Sequence, residues 1–297
     1  MNLAINKHYS NGLKTAWIDV KKAFDSVDHN YLIKCQENHS FPSWILNFLK
    51  NIISKWKLII RSGTEEILEK SVEKGIIQGD SLPPLLFVLC IDLLSCLLNG
   101  KHKKVNVATE SGMYCTNHLL FVDDLKLIAE SDEVLKMLME ETKEFFKAIG
   151  LEMNKDKSAT NTEACTEDAT LLEGIQGYKY LGITETALSS ISEESFKKIR
   201  DEIIKGTKRL CETNLNSKNL FKGINEHAIS VINYHIGILK LEPKEFKSLD
   251  DEIRKVLMDY KIHLQPADKE RLYLPRMQLG RGLCNVEHKS EYVLLES

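Results

Sequence analysis

Three acidic segments of the sequence could carry catalysis. Asp19 ends the apolar stretch TAWIDV, the pair Asp123-Asp124 lies between two apolar stretches, and Asp80 ends the glycine-containing loop GIIQGD. A carboxylate at the end of a buried strand is costly unless its charge is paired, and neighbouring carboxylates repel each other unless a cation lies between them. Mg²⁺ prefers carboxylate oxygens, and two Mg²⁺ ions can assist phosphoryl transfer. The residue types therefore predict metal-assisted phosphoryl transfer, provided that the fold brings Asp19 and Asp123 together.

The elements around these residues alternate between strands and helices and indicate an α+β or α/β first half. Taken singly, an Asp-Asp pair or a glycine loop is more typical of an ordinary turn than of a catalytic site, so its place among the elements matters. Strands are predicted at Thr15–Val20, Val105–Thr109, Leu119–Val122, Leu125–Ala129 and Tyr178–Ile183, with a hairpin from Trp56–Arg61 to Glu65–Ser71. Helices are predicted at Ser26–Gln36, Pro42–Ser54, Asp132–Ile149 and Pro84–Leu98, the last apolar on every side and hence buried.

From about Ser189-Ser190 onward the sequence is typical of helices. They are predicted at Glu193–Cys211, Leu220–Lys240 and Lys244–Tyr260. On the first of these, the basic residues roughly opposite the apolar face include Lys197, Lys205, Lys208 and Arg209. These side chains could contact nucleic-acid phosphates, or they could belong to a solvated face of mixed charge, and the sequence leaves both interpretations open.

Composition limits the class of protein. The 297 residues are 43% hydrophobic and 28% charged, with a formal net charge of −3, which is typical of a folded globular chain rather than a disordered one. A protein that only coats nucleic acid would carry a large positive excess, whereas an enzyme with local basic patches is allowed. Prolines and Asp92 interrupt the longest apolar run, Leu82–Leu98, so no membrane span is predicted. Seven cysteines without a CxxC pair predict reduced thiols in an intracellular protein, with nucleus and cytoplasm left open.

Five segments follow one another in the order TAWIDVKKAFDSVDH, KGIIQGDSLPPLLF, HLLFVDDLKLIAES, GLEMNKDKSA and YKYLGI. They resemble motifs A to E of reverse transcriptases, most closely those of non-LTR (LINE-type) retrotransposons. Near the end, RLYLPRMQLGRGL resembles a stretch that follows the thumb in the same group. The likeness extends from about Leu13 to about Val286, which is nearly the whole chain.

The resemblance implies a right-hand polymerase palm, in which helices pack on an antiparallel sheet, followed by an all-helical thumb. It assigns residues 1–188 to the palm, 189–262 to the thumb and 263–297 to a C-terminal connecting segment. In the family, a fingers subdomain precedes motif A, whereas only 18 residues precede Asp19 here. The fingers are therefore expected to be largely missing, and the chain is expected to be a fragment truncated before motif A.

The activity that the resemblance implies is RNA-directed DNA synthesis, in which a primer 3′-hydroxyl attacks a dNTP with the help of two Mg²⁺ ions. Mn²⁺ is expected to be able to replace them. Asp19 and Asp123 would hold the ions, Asp124 would be the third acidic member, and the backbone carbonyl of Val20 would complete the first metal shell. Phe24 would exclude the ribose 2′-hydroxyl, although an ordinary core phenylalanine would give the same sequence.

The resemblance also implies contacts to the substrates. It assigns the nucleotide pocket to Gln78 and Gly79, protonation of pyrophosphate to Lys157, and the primer grip to Tyr180, Leu181 and Gly182. Lys157 could instead be a solvated lysine, and the grip could be a plain edge strand. The other aspartates of interest, Asp25, Asp80 and Asp92, are interpreted as helix-capping or paired structural charges.

Two alternatives to an active reverse transcriptase stay open. One is a catalytically incomplete retroelement relic with at most nucleic-acid binding, which the missing fingers favour and the intact aspartates oppose. The other is an RNA-dependent RNA polymerase, which Phe24 disfavours because such an enzyme needs room for the 2′-hydroxyl. The expected partners are an RNA template, a DNA primer and dNTPs, without a membrane, within a larger retroelement polyprotein that carries fingers and an endonuclease.

Overall fold

The computed structural model describes residues 12–79, 82–109, 112–173, 176–186, 193–239, 241–264 and 267–296. The chain divides into two compact units between residues 190 and 191. The first unit mixes strands and helices, and the described part of the second is helical. The mixed helix-and-sheet class predicted from the sequence is therefore confirmed, whereas the assignments to palm, thumb and connecting segment stay predictions.

The strands of the first unit form one larger sheet and several hairpins. They are β1 (Lys14–Ile18), β2 (Lys57–Ser62), β3 (Glu65–Ser71), β4 (Val105–Thr109), β5 (Gly112–Thr116), β6 (His118–Phe121), β7 (Asp124–Ala129), β8 (Ala159–Thr160), β9 (Thr170–Leu171), β10 (Gly177–Tyr180) and β11 (Ile183–Thr186). The larger sheet has the order β6-β7-β1-β8-β9, and β2-β3, β4-β5 and β10-β11 are two-stranded. All neighbours in the larger sheet are antiparallel except β8 and β9. Strand β1 is thus enclosed on both edges.

The helices of the first unit cover this sheet. They are α1 (Ala23–Ser26), α2 (His29–Asn38), α3 (Ser43–Ile53), α4 (Leu82–Lys101) and α5 (Asp132–Ala148). Phe87 and Leu94 of α4 and Leu138 of α5 are fully buried in one cluster with Ile18 of β1 and Leu127 of β7. Burying this apolar surface fixes the two central strands against the helices.

Helix α4 is, within the described residues, the one helix long and apolar enough to cross a membrane, by length and composition only. The core helix of a folded domain meets the same criterion, and one face of α4 is buried in the first unit's core. The opposite face is partly exposed, since Leu85 and Val88 are 54% and 42% exposed. The predicted burial of this helix on every side is therefore wrong, because the core covers one face only. The expectation of no membrane span stays a prediction.

The second unit has its own helical core. Its helices are α6 (Glu193–Cys211), α7 (Ser217–Gly223), α8 (Asn233–Leu239), α9 (Pro243–Asp259), α10 (Glu270–Tyr273) and α11 (Val286–Glu296). A π-helical turn and a 3₁₀ turn join α7 to α8, so the predicted helix Leu220–Lys240 is irregular. Buried Asp250 accepts the N–H groups of Val286 and Glu287, both at 3.0 Å, and so caps α11. Burial raises the pKa of Asp250 to about 6.

The predicted helix Ser26–Gln36 is split in the structure. Helix α1 ends at Ser26, and α2 begins after Asp28. The Asp28 carboxylate accepts the N–H groups of Asn30 and Tyr31 at 2.8 and 3.0 Å. An aspartate in this position satisfies N–H groups that no earlier carbonyl can reach, so it starts a new helix rather than continuing an old one.

The predicted strand Tyr178–Ile183 is a hairpin rather than one strand. Leu181 and Gly182 have φ values of +47° and +80° and turn the chain between β10 and β11. Two consecutive residues with positive φ favour a tight hairpin turn. Strand β5 was not predicted, because its sequence GMYCT lacks a regular alternation. Asp80 lies outside the described residues.

Candidate active site

The pairing of β1 with β7 sets two of the predicted catalytic aspartates side by side. The antiparallel register aligns Ile18 with Leu125, so the next pair in the same register is Asp19 with Asp124. Directly opposed residues in such a pair have Cβ atoms roughly 4.5–5.5 Å apart. The fold therefore joins the motif A aspartate to the motif C aspartates at one end of the central strands.

Asp123 lies in the two-residue turn between β6 and β7. Phe121 pairs with Asp124, which leaves Val122 and Asp123 as the loop. Val122 has a φ of +56°, which is unusual for a β-branched residue and persists where the surrounding structure enforces it, commonly at functional sites. Asp123 is exposed, whereas Asp124 is half-buried. The turn thus presents one solvated carboxylate beside a partly enclosed one.

Asp124 lies close enough to Asp19 and Asp123 for their charges to act on it. Burial raises the pKa of Asp124, and the charges of Asp123 and Asp19 raise it further. The pKa of Tyr178 is raised to about 12, mainly by burial and also by Asp19 and Asp124. Negative charge concentrated in this way is relieved by a bound cation.

The donor set fits a hard divalent cation. Mg²⁺ takes oxygen ligands and usually uses one or two protein carboxylates, while waters and substrate phosphates fill the other positions. Within the ranges that the structure describes, no group of three or more acidic, histidine or cysteine side chains could hold a metal by itself. Asp19, Asp123 and Asp124 offer carboxylate oxygens, the ligand type of an ion that is shared with a phosphate-bearing substrate.

The segment after α5 holds the backbone of Asp19. The Asp19 N–H donates to Ser158 Oγ at 3.0 Å, and the Asp19 carbonyl accepts the Asn154 N–H at 2.8 Å. Asp19, Val20 and Lys157 line one open cleft of about 540 Å³. The structure thus brings the predicted proton donor to the cleft that contains the motif A aspartate. The exposed side chain of Lys157 is equally compatible with a solvated lysine that has no catalytic role.

Phe24 packs against the first unit's core. Its ring stacks on Phe87 of α4, with centroids 4.8 Å apart and an angle of 28° between the planes. The Phe24 carbonyl accepts the Ile76 N–H at 2.7 Å. The ring is half-buried, so a core contact on one side leaves part of its surface accessible. Its role in choosing the sugar stays a prediction.

The loop that contains Gln78 and Gly79 is fixed to motif A through Gly75. Gly75 has a φ of +91°, and a Cβ on it would lie 2.7 Å from the carbonyl oxygen of Asp25. His29 Nε2 donates to the Gly75 carbonyl at 2.8 Å. Gln78 and Gly79 are exposed and border a cavity of about 240 Å³ in front of α4. Only glycine allows this close approach of motif B to motif A.

The predicted primer grip contains two kinds of residue. Tyr180 is 2% exposed and packs with Trp17 and Ala159. Its ring is therefore part of the core. Leu181 and Gly182 form the hairpin turn, where Gly182 is exposed. Contact with a primer stays a prediction, and the turn is the part of the hairpin that could make it.

A buried ion pair that the sequence did not predict joins Lys126 of β7, the strand that begins with Asp124, to Glu185 of β11. Lys126 Nζ and Glu185 Oε2 are 2.7 Å apart, and neither side chain is exposed. Trp17 Nε1 donates to the same carboxylate oxygen at 2.9 Å. The Lys126 ammonium also lies 5.4 Å from the Trp17 ring centroid and 5.8 Å from that of Tyr180. The signal that could have revealed the pair is a lysine inside the apolar strand LKLIA.

This ion pair ties β7 to the β10-β11 hairpin. Trp17 is directly opposite Lys126 in the β1-β7 register, two residues along each strand from Asp19 and Asp124. Residues two apart on a strand point to the same face of the sheet. Burial lowers the pKa of Lys126, and Glu185 opposes that shift. Next to Asp19 and Asp124 along the sheet there is therefore a buried layer, in which the charge of Lys126 is paired with that of Glu185.

The second unit carries the basic residues that were predicted to contact nucleic acid. All four are exposed on α6: Lys197, Lys205, Lys208 and Arg209. Lys205 and Arg209 border an open cleft of about 530 Å³ together with Asp201, Glu202 and His227. Both signs of charge meet there, so a phosphate contact and a solvated mixed face both remain compatible with the structure.

Comparison with known proteins decides the family. The model of the reverse transcriptase (RNA-dependent DNA polymerase) family matches residues 5–184, more than half of the chain. The chain belongs to the reverse transcriptase family. The match spans Asp19, Asp123 and Asp124 and confirms the resemblance found in the sequence. Members of this family generally use divalent metal ions.

Curated relatives of this reverse transcriptase are Pol polyproteins of retrotransposable elements. It is 28% identical over 191 residues to that of the type-2 element R2DM of Drosophila melanogaster, covering 59% of this chain and 18% of that protein. It is 30% identical over 153 residues to that of the type-1 element R2 of Nasonia vitripennis, covering 50% and 14%. These relatives confirm the predicted likeness to non-LTR retrotransposons, and the chain spans less than a quarter of their length. An apo telomerase structure from Candida Tropicalis aligns over 87% of this chain and 48% of its own, at 12% identity and a TM-score of 0.47.

Proposed function

We propose that this chain is the RNA-directed DNA polymerase segment of a non-LTR retrotransposon. It would extend a DNA primer on an RNA template by joining dNTPs to the primer 3′-hydroxyl. The observation that supports this most is the β1-β7 register, which opposes Asp19 to Asp124 beside the turn that carries Asp123. In a member of the reverse transcriptase family, nucleotidyl transfer requires carboxylates that converge in this way to hold metal ions.

Asp19, Asp123 and Asp124 would hold two Mg²⁺ ions, with the Val20 carbonyl as a further ligand and Mn²⁺ able to replace Mg²⁺. When bound, the ions supply charge stabilisation for the attacking and leaving oxygens. Hydrogen bonds from the segment after α5 fix the Asp19 backbone before any substrate arrives, so the carboxylate needs little reorganisation. Lys157 would hold a proton for the leaving pyrophosphate in the same cleft.

The finer architecture is part of the proposal. Residues 1–188 would be the palm, 189–262 the thumb and 263–297 a connecting segment of a larger Pol polyprotein that supplies fingers and an endonuclease. The exposed basic residues of α6 would contact the template–primer. Phe24 would select dNTPs. An RNA-dependent RNA polymerase is not favoured by the family match, and an inactive relic is the alternative that an assay must separate.

The test is Mg²⁺-dependent extension of a DNA primer on an RNA template. We expect Asp123→Asn to reduce extension by at least about 100-fold, since it removes charge stabilisation of the transition state. Asp25→Asn is the matched control. It makes the same change at an exposed motif A aspartate that does not belong to the end of β1 and β7 where Asp19 and Asp124 are opposed. Equal extension in wild type and Asp123→Asn would contradict the proposal. A folded wild-type chain that extends nothing would support the relic.

A further inference from the structure

A second cleft, in the second unit, is rich in positive charge. It has a volume of about 560 Å³, and the charged residues that line it are Lys261, Asp268, Arg271, Arg276 and Arg281. All four cationic side chains are exposed. Among the residues that the structure describes, none of the four has a carboxylate partner within 4.0 Å. The cleft therefore gathers four cationic side chains and a single carboxylate, in a chain whose formal net charge is −3.

The backbone that carries the arginines is held rigidly. The Arg281 N–H donates to the Arg271 carbonyl, and the Leu283 N–H donates to the Leu272 carbonyl, both at 2.8 Å. Leu272 and Leu283 are buried in the second unit's core. Two stretches of chain are thus fastened side by side, and Arg271 and Arg281 start from fixed positions.

Gly280 explains why the loop between these stretches is so tight. A Cβ on Gly280 would lie 1.8 Å from the Leu274 carbonyl oxygen, so no other residue fits without moving the backbone. In the same loop, Leu279 and Gly282 both have positive φ values, +61° and +72°. A site whose backbone is fixed beforehand loses less conformational entropy when it binds a ligand. The basic residues of this cleft are therefore carried by a rigid backbone, unlike lysines scattered over a surface.

The chemistry of the lining suits phosphate. Arginine offers a planar set of donors that matches phosphate oxygens, and three arginines meet here. His263, which also lines the cleft, is 9% exposed. Its pKa is lowered by burial and by the nearby charges of Arg254 and Arg281, so near neutral pH it adds a hydrogen-bonding group without another charge.

We propose that this basic cleft binds the sugar-phosphate backbone of a nucleic-acid strand. A strand can enter a concave cleft, whereas a planar lipid surface cannot. Apolar Leu264 and Leu279 also line the cleft and are 62% and 79% exposed, which suits sugars and bases but not a free phosphate ion. The inference rests on the proposed function only in that the ligand is a nucleic acid, since the cleft contains none of the carboxylates of the first unit.

The experiment measures binding of the full chain to a fluorescent RNA–DNA hybrid at a series of KCl concentrations. Each lost phosphate contact should lower the slope of log K against log salt by about 1. We expect that reduction for Arg276→Gln and for Lys261→Gln. Lys255→Gln is the matched control, because Lys255 is exposed on α9 of the same unit and does not line the cleft. Arg276→Lys keeps the charge and should keep most of the slope.

Two outcomes would overturn the assignment. One is an equal change of slope in Lys255→Gln and in the cleft variants, because the effect would then be that of net charge alone. The other is that the cleft variants lose binding to phosphatidylserine vesicles but keep the wild-type slope of log K against log salt for the RNA–DNA hybrid. Thermal melting by circular dichroism verifies that each variant is folded. Asp123→Asn should abolish extension without changing the slope, so failure of this inference and failure of the proposed polymerase are told apart.

Discussion

Asp124 experiences most directly the repulsion that results from gathering three carboxylates. Its pKa is raised by burial and by Asp123 and Asp19, so folding disfavours its ionised form. For an acid whose pKa is raised on folding, the native state loses stability as the pH rises through that pKa. It keeps the stability at lower pH, where the group is protonated in both states. Without a cation, ionised Asp124 therefore destabilises the folded state most at the pH at which the site would bind a cation.

We predict that Asp124→Asn raises the free energy of unfolding near neutral pH by up to about 1 kcal/mol, because it removes a like-charge pair directly across two strands. The gain should vanish at about pH 3, where the wild-type carboxyl is protonated. Urea unfolding at the two pH values measures it. Primer extension should fall at the same time. A variant less stable than wild type near neutral pH would mean that Asp124 makes a favourable contact instead.

Phe24 offers a second prediction, on nucleotide choice. Phe24→Ala should increase incorporation of ribonucleotides relative to deoxynucleotides, because a methyl group leaves room for a 2′-hydroxyl. It should also cost about 2 kcal/mol of stability, since the half-buried ring stacks on Phe87. The control is Phe87→Leu, which disturbs the same stack inside the core and should leave the sugar preference unchanged. An active Phe24→Ala enzyme with wild-type discrimination would show that Phe24 is a core residue only.

At the scale of elements, Gly75 joins the motif A and motif B segments. We predict that Gly75→Ala costs about 2 kcal/mol or more, because the new Cβ would meet the backbone of Asp25 in addition to the strain of positive φ. Gly63→Ala is the control: Gly63 also has positive φ, but nothing lies within 4 Å of its Cβ position. It should cost about 1 kcal/mol. Urea unfolding compares the two, and equal losses would mean that the loop relaxes away from Asp25.

The buried pair Lys126–Glu185 fastens the β10-β11 hairpin to the strand that bears Asp124. We predict that Lys126→Met alone costs about 3–5 kcal/mol, because it leaves a buried carboxylate without its cation. The double variant Lys126→Met/Glu185→Leu should recover much of that loss, since no charge then remains buried. A double-mutant cycle by urea unfolding measures the coupling. If the two single losses simply add in the double variant, the pair does not act as a unit.

At the scale of the whole molecule, each unit has its own apolar core. Leu138 belongs to the first core and Leu249 to the second, and both are fully buried. We predict two unfolding transitions in urea. Leu138→Ala and Leu249→Ala should each lower one of them by about 3 kcal/mol, the usual cost of such a cavity. Intrinsic fluorescence and circular dichroism follow the transitions. A single transition lowered by either variant would mean that the two units unfold together.

The charge distribution also belongs to this scale. The formal net charge of −3 conceals an acidic end of the central sheet in the first unit and a basic cleft in the second. An overall sum averages over regions of opposite sign, whereas a bound polyanion responds to the local field. Near-neutral composition therefore gives no argument against nucleic-acid binding.

The sequence by itself determined the family and the local elements. Five motifs in order predicted a reverse transcriptase, which the family match confirms. The hairpin about Gly63 and helix α5 were predicted because turn residues and helical periodicity act over a few neighbouring residues. The roles of the single site residues came from resemblance and stay predictions, although the structure gathers Asp19, Asp123 and Asp124.

Only the tertiary structure decided which distant residues meet. No local signal gives the β1-β7 register that opposes Asp19 to Asp124, or the partner of Lys126, which lies 59 residues away. The basic cleft likewise forms because buried Leu272 and Leu283 hold two stretches together. These contacts follow from packing of the whole core, whose energy is non-directional and shared among many side chains. A short stretch of sequence indicates that a residue must be buried or paired, whereas the tertiary structure determines which distant residue it contacts.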